Sequence, residues 1–277
     1  MKSTIQKDFH RNGQLRASVP LRKGQRHGVC RTWHKNGVLA SQEPYQAGLP
    51  HGICRQWNEA GRLLGKYKMV HGTGVQRSWH ENGRLQMEVS TVRGQFTGYS
   101  RIWLWDGTLL SEHLNLRGQP VSAAGYRVAA ARDKTFPKLR GQSSKRLPDS
   151  PAREKHIFRV FASSMLARPN LSEARKWLRK KTGDQTARSL GHFKRERDAE
   201  KFVVSLYDAG AIAVVLPDIY QNKTGDQFAD CLLVRLPKNI VQRKSIRQAC
   251  ARLRRRDGSA VQPDADIGEG HLYLYFG

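Results

Sequence analysis

Gly28-Val29-Cys30-Arg31-Thr32-Trp33-His34-Lys35-Asn36-Gly37-Val38-Leu39 is the stretch that decides the fold. Val29 to His34 reads as a strand, Lys35-Asn36-Gly37 as a turn, and Val38 to Tyr45 as a returning strand. Asn-Gly between two strand-like runs is a strong short-range hairpin signal. It predicts a type I′ turn, in which both central residues take positive φ. Outward from this hairpin the pattern recurs. Gly13, Gly37, Gly61, Gly83 and Gly107 follow one another at intervals of 24, 24, 22 and 24 residues. Leu15, Leu39, Leu63, Leu85 and Leu109 stand two places after them. Trp33, Trp57, Trp79 and Trp103 stand four places before the last four glycines, with Phe9 in that place before Gly13. Such a period signals a repeat array, in which each unit stacks on its neighbours. Ala60-Gly61 is the weak member, and the third copy is two residues short.

Period-two alternation sorts the faces. Val29, Arg31 and Trp33 are expected on one face, with equivalents Ile53, Arg55, Trp57; Val75, Arg77, Trp79; and Tyr99, Arg101, Trp103. Arg31, Arg55, Arg77 and Arg101 thus form an arginine ladder, with equivalents roughly 10 Å apart, two strand spacings. Two readings of it stay open: each guanidinium stacks on a neighbouring tryptophan, or the row faces carboxylates or phosphates. The other face, with Cys30, Cys54, Gln76 and Ser100, is expected to be the wetter one. His10, His34 and His80 also repeat. At that spacing two of them do not share one ion, so we read them as repeat residues and expect no metal.

The pattern Gly-x-x-x-x-Trp-x-x-Asn-Gly-x-Leu, followed by Gly-x-x-His-Gly, resembles the variant MORN repeat of bacterial proteins over about residues 9–120. The resemblance implies a β-hairpin array without catalytic residues, devoted to protein or lipid contacts. Some bacterial members carry an antitoxin-like label, which implies neutralising binding to a partner protein.

The chain has 277 residues, and 49 Lys and Arg against 23 Asp and Glu give it a net charge of +26. That excess favours anionic partners: an acidic protein, nucleic acid or an anionic lipid surface. Four cysteines without metal-ligand spacing point to a reduced, cytoplasmic protein. The N-terminus shows no signal peptide, and no apolar run reaches membrane-spanning length.

Residues 1–125 form the array. Residues 126–155, punctuated by Pro137, Pro148 and Pro151, read as a basic flexible linker. Residues 156–277 read as an α+β domain. His156 to Phe161 is expected as its first strand, Leu171–Lys181 and Arg197–Tyr207 as helices, and Ala211–Val215 and Cys231–Leu236 as strands. Ile240–Arg254 is the last expected helix and His271–Phe276 the closing strand. The order suggests a ferredoxin-like βαββαβ sandwich, a fold that does not decide function. Arg254, Arg255 and Arg256 end a helix and are candidate phosphate contacts. Asp264, Asp266 and Glu269 crowd one loop that matches no calcium motif. No nucleophile elbow or phosphate-binding glycine loop occurs.

The sequence therefore predicts a non-catalytic binding protein without a cofactor, using the repeat surface to contact a protein partner or another anionic ligand. The alternative is a nucleic-acid binder using the arginine ladder, the linker and the Arg254–Arg256 cluster.

Overall fold

The structure is a computed structural model and describes residues 3–139, 149–179, 183–191, 193–257 and 265–276. The chain divides into two compact units, Met1–Pro148 and Asp149–Gly277.

The first unit is built on a 13-stranded sheet of antiparallel strand pairs. Its strands are β1 (Ser3–Phe9), β2 (Leu15–Arg22), β3 (Gln25–Arg26), β4 (Gly28–Trp33), β5 (Leu39–Gln46), β6 (Leu49–Pro50) and β7 (Gly52–Trp57). They continue with β8 (Leu63–Val70), β9 (Thr73–Trp79), β10 (Leu85–Val92), β11 (Gln95–Trp103), β12 (Leu109–Leu116) and β13 (Gln119–Pro120). Sheet order follows chain order, with the short β3 and β6 set off on β2 and β5. The hairpin array expected from the repeat is therefore present.

The turn chemistry is distributed differently from the expectation. In the Asn-Gly turns only the glycine has positive φ, as with Gly13 at 77° and Gly37 at 82°. Gly37 N donates to His34 O at 2.9 Å and His34 N to Val38 O at 2.8 Å. This is a type I turn followed by a left-handed glycine, the usual three-residue hairpin loop. The type I′ turns lie instead in the connectors. Lys23-Gly24, Ala47-Gly48, His71-Gly72, Arg93-Gly94 and Arg117-Gly118 have positive φ at both residues and separate directly paired strand ends. A two-residue loop forces that conformation whatever its first residue, so loop length outranks the Asn-Gly preference here.

Residues 123–139 correct the linker expectation. Ala123–Arg132 is helix α1, capped by Ser122, whose Oγ accepts from Gly125 N at 3.1 Å. Tyr126 is fully buried and packs with Val92 and Phe136. Its hydroxyl donates to Pro137 O at 2.9 Å. Two aromatic anchors order a segment that its charge and prolines alone mark as open. Residues 140–148 of the expected linker lie outside the described residues.

The second unit contains α2 (Pro151–Leu166), β14 (Ser172–Glu173), α3 (Ala174–Leu178), β15 (Arg188–Leu190), α4 (Glu196–Asp208), β16 (Ala213–Leu216), β17 (Tyr220–Gln221), β18 (Gln227–Ala229), β19 (Cys231–Arg235), α5 (Ile240–Asp257) and β20 (His271–Tyr275). The expected strand at 156–161 is the middle of α2. Ser150 caps that helix and Pro151 opens it, a start signal that overrides a short alternating apolar run. Phe161 then meets Tyr273 edge-on at 4.8 Å. The main sheet runs β14-β16-β19-β20, each pair antiparallel. Neighbours in the sheet are successive members of this set along the chain, so the split pairing of a ferredoxin-like sandwich is not confirmed. A smaller sheet runs β15-β18-β17. The core gathers Leu178, Val203, Leu206, Val214, Leu232, Ile246 and Leu272, among others. Across the whole chain, no helix among the described residues is long and apolar enough to cross a membrane.

Candidate functional site

The repeat positions sort into structural rungs and surface groups once their partners are known. His10, His34 and His80 each place Nε2 within 2.8–2.9 Å of the carbonyl of Trp33, Trp57 and Trp103, the tryptophan of the next copy. The turn asparagines do the same one step along. Asn12, Asn36 and Asn82 donate Nδ2 to Lys35 O, Glu59 O and Trp105 O at 2.8–2.9 Å. Their Oδ1 atoms accept from the backbone N–H of Gln14, Val38 and Arg84 at 3.0–3.2 Å. One side chain therefore closes its own turn and fastens the next. The third copy, with Asn58 and Ala60 in these places, uses other groups. Asn58 Oδ1 accepts from Arg62 N at 2.7 Å. Gln56 stitches to the next copy, donating to Trp79 O at 3.1 Å and accepting from Trp79 N at 3.0 Å.

The tryptophans are half-buried, and one of them departs from the expected face. Tyr67 pairs with Cys54 and Gly65 with Gln56, both on the side opposite Arg55. A Cβ on Gly65 would lie 2.3 Å from Trp79 Cε2, and the Tyr67 and Trp79 rings are 6.4 Å apart. Trp79 thus covers the cysteine and tyrosine side. Each hairpin shifts register at this level, at Thr32/Trp33, Gln56/Trp57, Leu85/Met87 and Ile102/Trp103. A bulge re-aims the side chain beside it, and simple alternation ends there.

The arginine ladder divides into two halves. Arg77 and Arg101 stand opposite Glu88 and Glu112. Arg77 Nε lies 3.0 Å from Glu88. Arg101, 6% exposed, meets Glu112 at 2.5 Å and Glu88 at 3.6 Å. Its guanidinium also lies 3.9 Å over the Tyr99 ring. Arg31 and Arg55 instead stand opposite Gln42 and Lys66. Neither has a hydrogen-bond or ion-pair partner for its side chain among the described residues. Arg31, Lys66 and Lys68 are exposed, and Lys68 pairs with Ile53 on the same face. Among the described residues no ladder arginine stacks on a ladder tryptophan; the ring contacts are Arg26 with Tyr45, Arg101 with Tyr99, Arg117 with Phe136 and Arg175 with Tyr207. Glu88, Glu112, Lys66 and Lys68 were missed in the sequence because they sit on the variable return strands. The spacing of the cross-strand partner from the recurring glycine would have found them.

All four cysteines are buried, and none of them is in a disulfide. Burial pushes the Cys54 thiol up to about 11 and raises Cys30, so neither forms a thiolate readily. Burial likewise raises the Tyr67 hydroxyl, with the Glu43 charge adding to it. One group of metal-ligating type exists among the described residues: His34, Glu59 and Glu81, whose ligand atoms lie within 4.8 Å of one another. His34 Nε2 already holds Trp57 O, and a Glu81 carboxylate oxygen accepts from Glu59 N at 3.2 Å. His34 and Glu81 thus already serve bonds between copies.

In the second unit Arg254, Arg255 and Arg256 fall on the last part of α5, with side chains outside the described residues, as is Asp264. Asp266 and Glu269 of the acidic loop clasp α5. Arg243 donates Nε to Asp266 at 2.7 Å and Nη1 to Glu269 O at 2.9 Å, and Arg247 pairs with the Glu269 carboxylate.

These features define a tandem β-hairpin repeat protein in which each copy is fastened to the next by side-chain-to-backbone bonds. Residues 26–47 and 73–92 match the family model of the MORN repeat variant. The equivalent glycine turns and inter-repeat bonds extend the same geometry to the copies on either side. No curated protein matches this chain.

Proposed function

We propose that the chain is a non-catalytic binding protein whose repeat array holds an acidic protein partner on the N-terminal half of its arginine face. The observation that supports this is the change of partner along one ladder. Glu88 and Glu112 neutralise Arg77 and Arg101, whereas Arg31 and Arg55 face Gln42 and Lys66. Like charges set opposite one another across a strand pair cost stability. An anionic partner would relieve the Arg55–Lys66 repulsion on binding. Arginine forks suit carboxylates in a bidentate geometry. The net charge of +26 would speed such an encounter at low salt.

The experiment is capture of partners from native lysate by the tagged chain, with and without nuclease, using the wild type and an Arg31→Gln/Arg55→Gln variant. A partner protein that survives nuclease and is lost with the double variant supports the proposal. Captured material that disappears with nuclease assigns the face to phosphates, and its salt dependence would then be steep. Capture unaffected by the double variant overturns the reading.

A further inference from the structure

The face opposite the arginines contains a cavity of about 260 Å³, lined by Thr32, Ser41, Glu43, Tyr45, Gln56 and Tyr67, among others. Its walls come from β4, β5, β6, β7, β8, β9 and β10. On a flat sheet the path from β4 to β10 spans roughly 24 Å, at about 4.8 Å per strand. One small cavity touched from both ends of that span points to a sheet that curls around it, with the cavity on the floor of the concave side.

The register explains what the floor carries. Cys30 pairs with Glu43 and Cys54 with Tyr67, so these four side chains form one row across the sheet. Ser41 and Tyr45 flank Glu43 along its own strand. Arg55 and Arg77 also touch the cavity, but they alternate to the opposite face, where Arg77 is held by Glu88. Glu43 is half-buried and is the only acid among the lining residues. The partner the structure gives its carboxylate is the Tyr45 hydroxyl, which donates at 3.2 Å. Among the described residues no cation lies within ion-pair distance of it, and Arg26 acts on it through the Tyr45 hydroxyl. The nearby Arg26 spends Nη1 on Tyr45 Oη at 3.1 Å and lies over the Tyr45 ring.

We infer that this cavity is a binding site for a small cationic group, an alkylammonium or guanidinium, such as a lysine or arginine side chain presented by another chain or a free polyamine. A half-buried carboxylate without a direct ion pair attracts a cation. Tyr45, whose ring Arg26 now covers, and Tyr67 bring aromatic rings to the same cavity. The hydroxyls of Thr32 and Ser41 and the Gln76 amide supply acceptors for an ammonium's other protons. The volume lies below the roughly 300–1,000 Å³ of drug-sized sites, which suits one side chain or a small amine. This site and the arginine face are on opposite sides of one sheet, so it stands independently of the proposed function. It equips a strongly basic protein to engage a positively charged group at one place.

The test is titration of the full chain with n-butylammonium, followed by amide shifts of Gln56 and Gln76 and by calorimetry. A blocked lysine tripeptide and spermidine are titrated in parallel. Saturable binding in the wild type, at least fivefold weaker in Glu43→Gln with the same melting temperature, is the expected result. Arg26→Gln, which removes the competing cation, is expected to bind more tightly. If Glu43→Gln does not fold, the Arg26→Gln comparison carries the test. Arg31→Gln, at a residue outside the cavity lining, is expected to leave the binding intact, so weakened capture of the acidic partner with retained ammonium binding separates the two readings. A tripeptide that outbinds spermidine assigns the site to a protein side chain, and the reverse assigns it to a free polyamine. No saturable binding at millimolar butylammonium, or equal binding by wild type, Glu43→Gln and Arg26→Gln, overturns the inference.

Discussion

The side-chain amide of Asn82 donates to the carbonyl of Trp105, 23 residues further on, at 2.9 Å. The same side chain accepts from Arg84 N at 3.0 Å. Asp106, the equivalent residue of the last copy, keeps the acceptor half of this pair through Thr108 N at 2.9 Å. It has no donor, and no further copy follows it in the array. Asn82→Asp is therefore expected to keep the turn and lose the rung, destabilising the array by about 0.5–1.5 kcal/mol. Asp106→Asn is expected to stay within about 0.5 kcal/mol of wild type. Urea unfolding of the two variants distinguishes them, and equal effects would mean that the amide rung carries no stability.

Gly65 makes room for Trp79. An alanine Cβ there would approach the indole to 2.3 Å, well inside contact distance. Gly65→Ala is expected to cost about 1–3 kcal/mol by overpacking. In a Trp79→Ala background the same change is expected to cost little. The double-mutant cycle measures that coupling directly. An additive result would mean that the ring does not rest on Gly65.

The period of the array was legible because glycine, tryptophan and leucine recur at turn and bulge positions whose geometry tolerates few substitutes. The arginine ladder was legible as a row, from alternation within each outgoing strand. Its division into neutralised and open halves was not, because that depends on register with return strands of variable sequence. Trp79's face was misread for a related reason: the bulge breaks period two at the residue the pattern marks. Tyr126 and Phe136 lay in a stretch whose charge and prolines suggested an open chain, and two buried rings reversed that. In the second unit Ser150-Pro151 fixes the start of α2, yet the same two residues also read as part of a linker. The cavity around Glu43 was hidden altogether, since it arises from sheet curvature and gathers residues from seven strands.

Burial separates the ladder arginines in energy as well as in charge. Arg101 is 6% exposed and depends on Glu112 and Glu88, and its Nη2 has no partner among the described residues. Removing one carboxylate leaves a buried guanidinium less compensated. Glu112→Gln is expected to destabilise by roughly 3 kcal/mol, the lower end for a broken buried pair, because Glu88 remains. Arg31→Gln, at an exposed position, is expected to change stability by no more than about 0.5 kcal/mol. Thermal denaturation of both variants checks this, and a large loss with Arg31→Gln would assign that residue a structural role.

The clasp between α5 and its following loop makes the second unit sensitive to acid. The hydrogen bonds of Arg243 to Asp266, reinforced by the Gly268 amide and the charge of Arg247, hold the Asp266 carboxyl well below the usual carboxylate range. A carboxyl whose folded pKa is depressed contributes stability above its unfolded value, about 3.9. That contribution is lost as pH falls through the folded pKa. The advantage of wild type over Asp266→Asn is therefore expected to be full at pH 6 and to shrink steadily below about pH 4. Unfolding of the full chain followed by α-helical circular dichroism between pH 2 and 6 measures the difference. A constant gap between the two proteins across that window would show that Asp266 gains nothing from its ionised form, and that α5 is held by its apolar face alone.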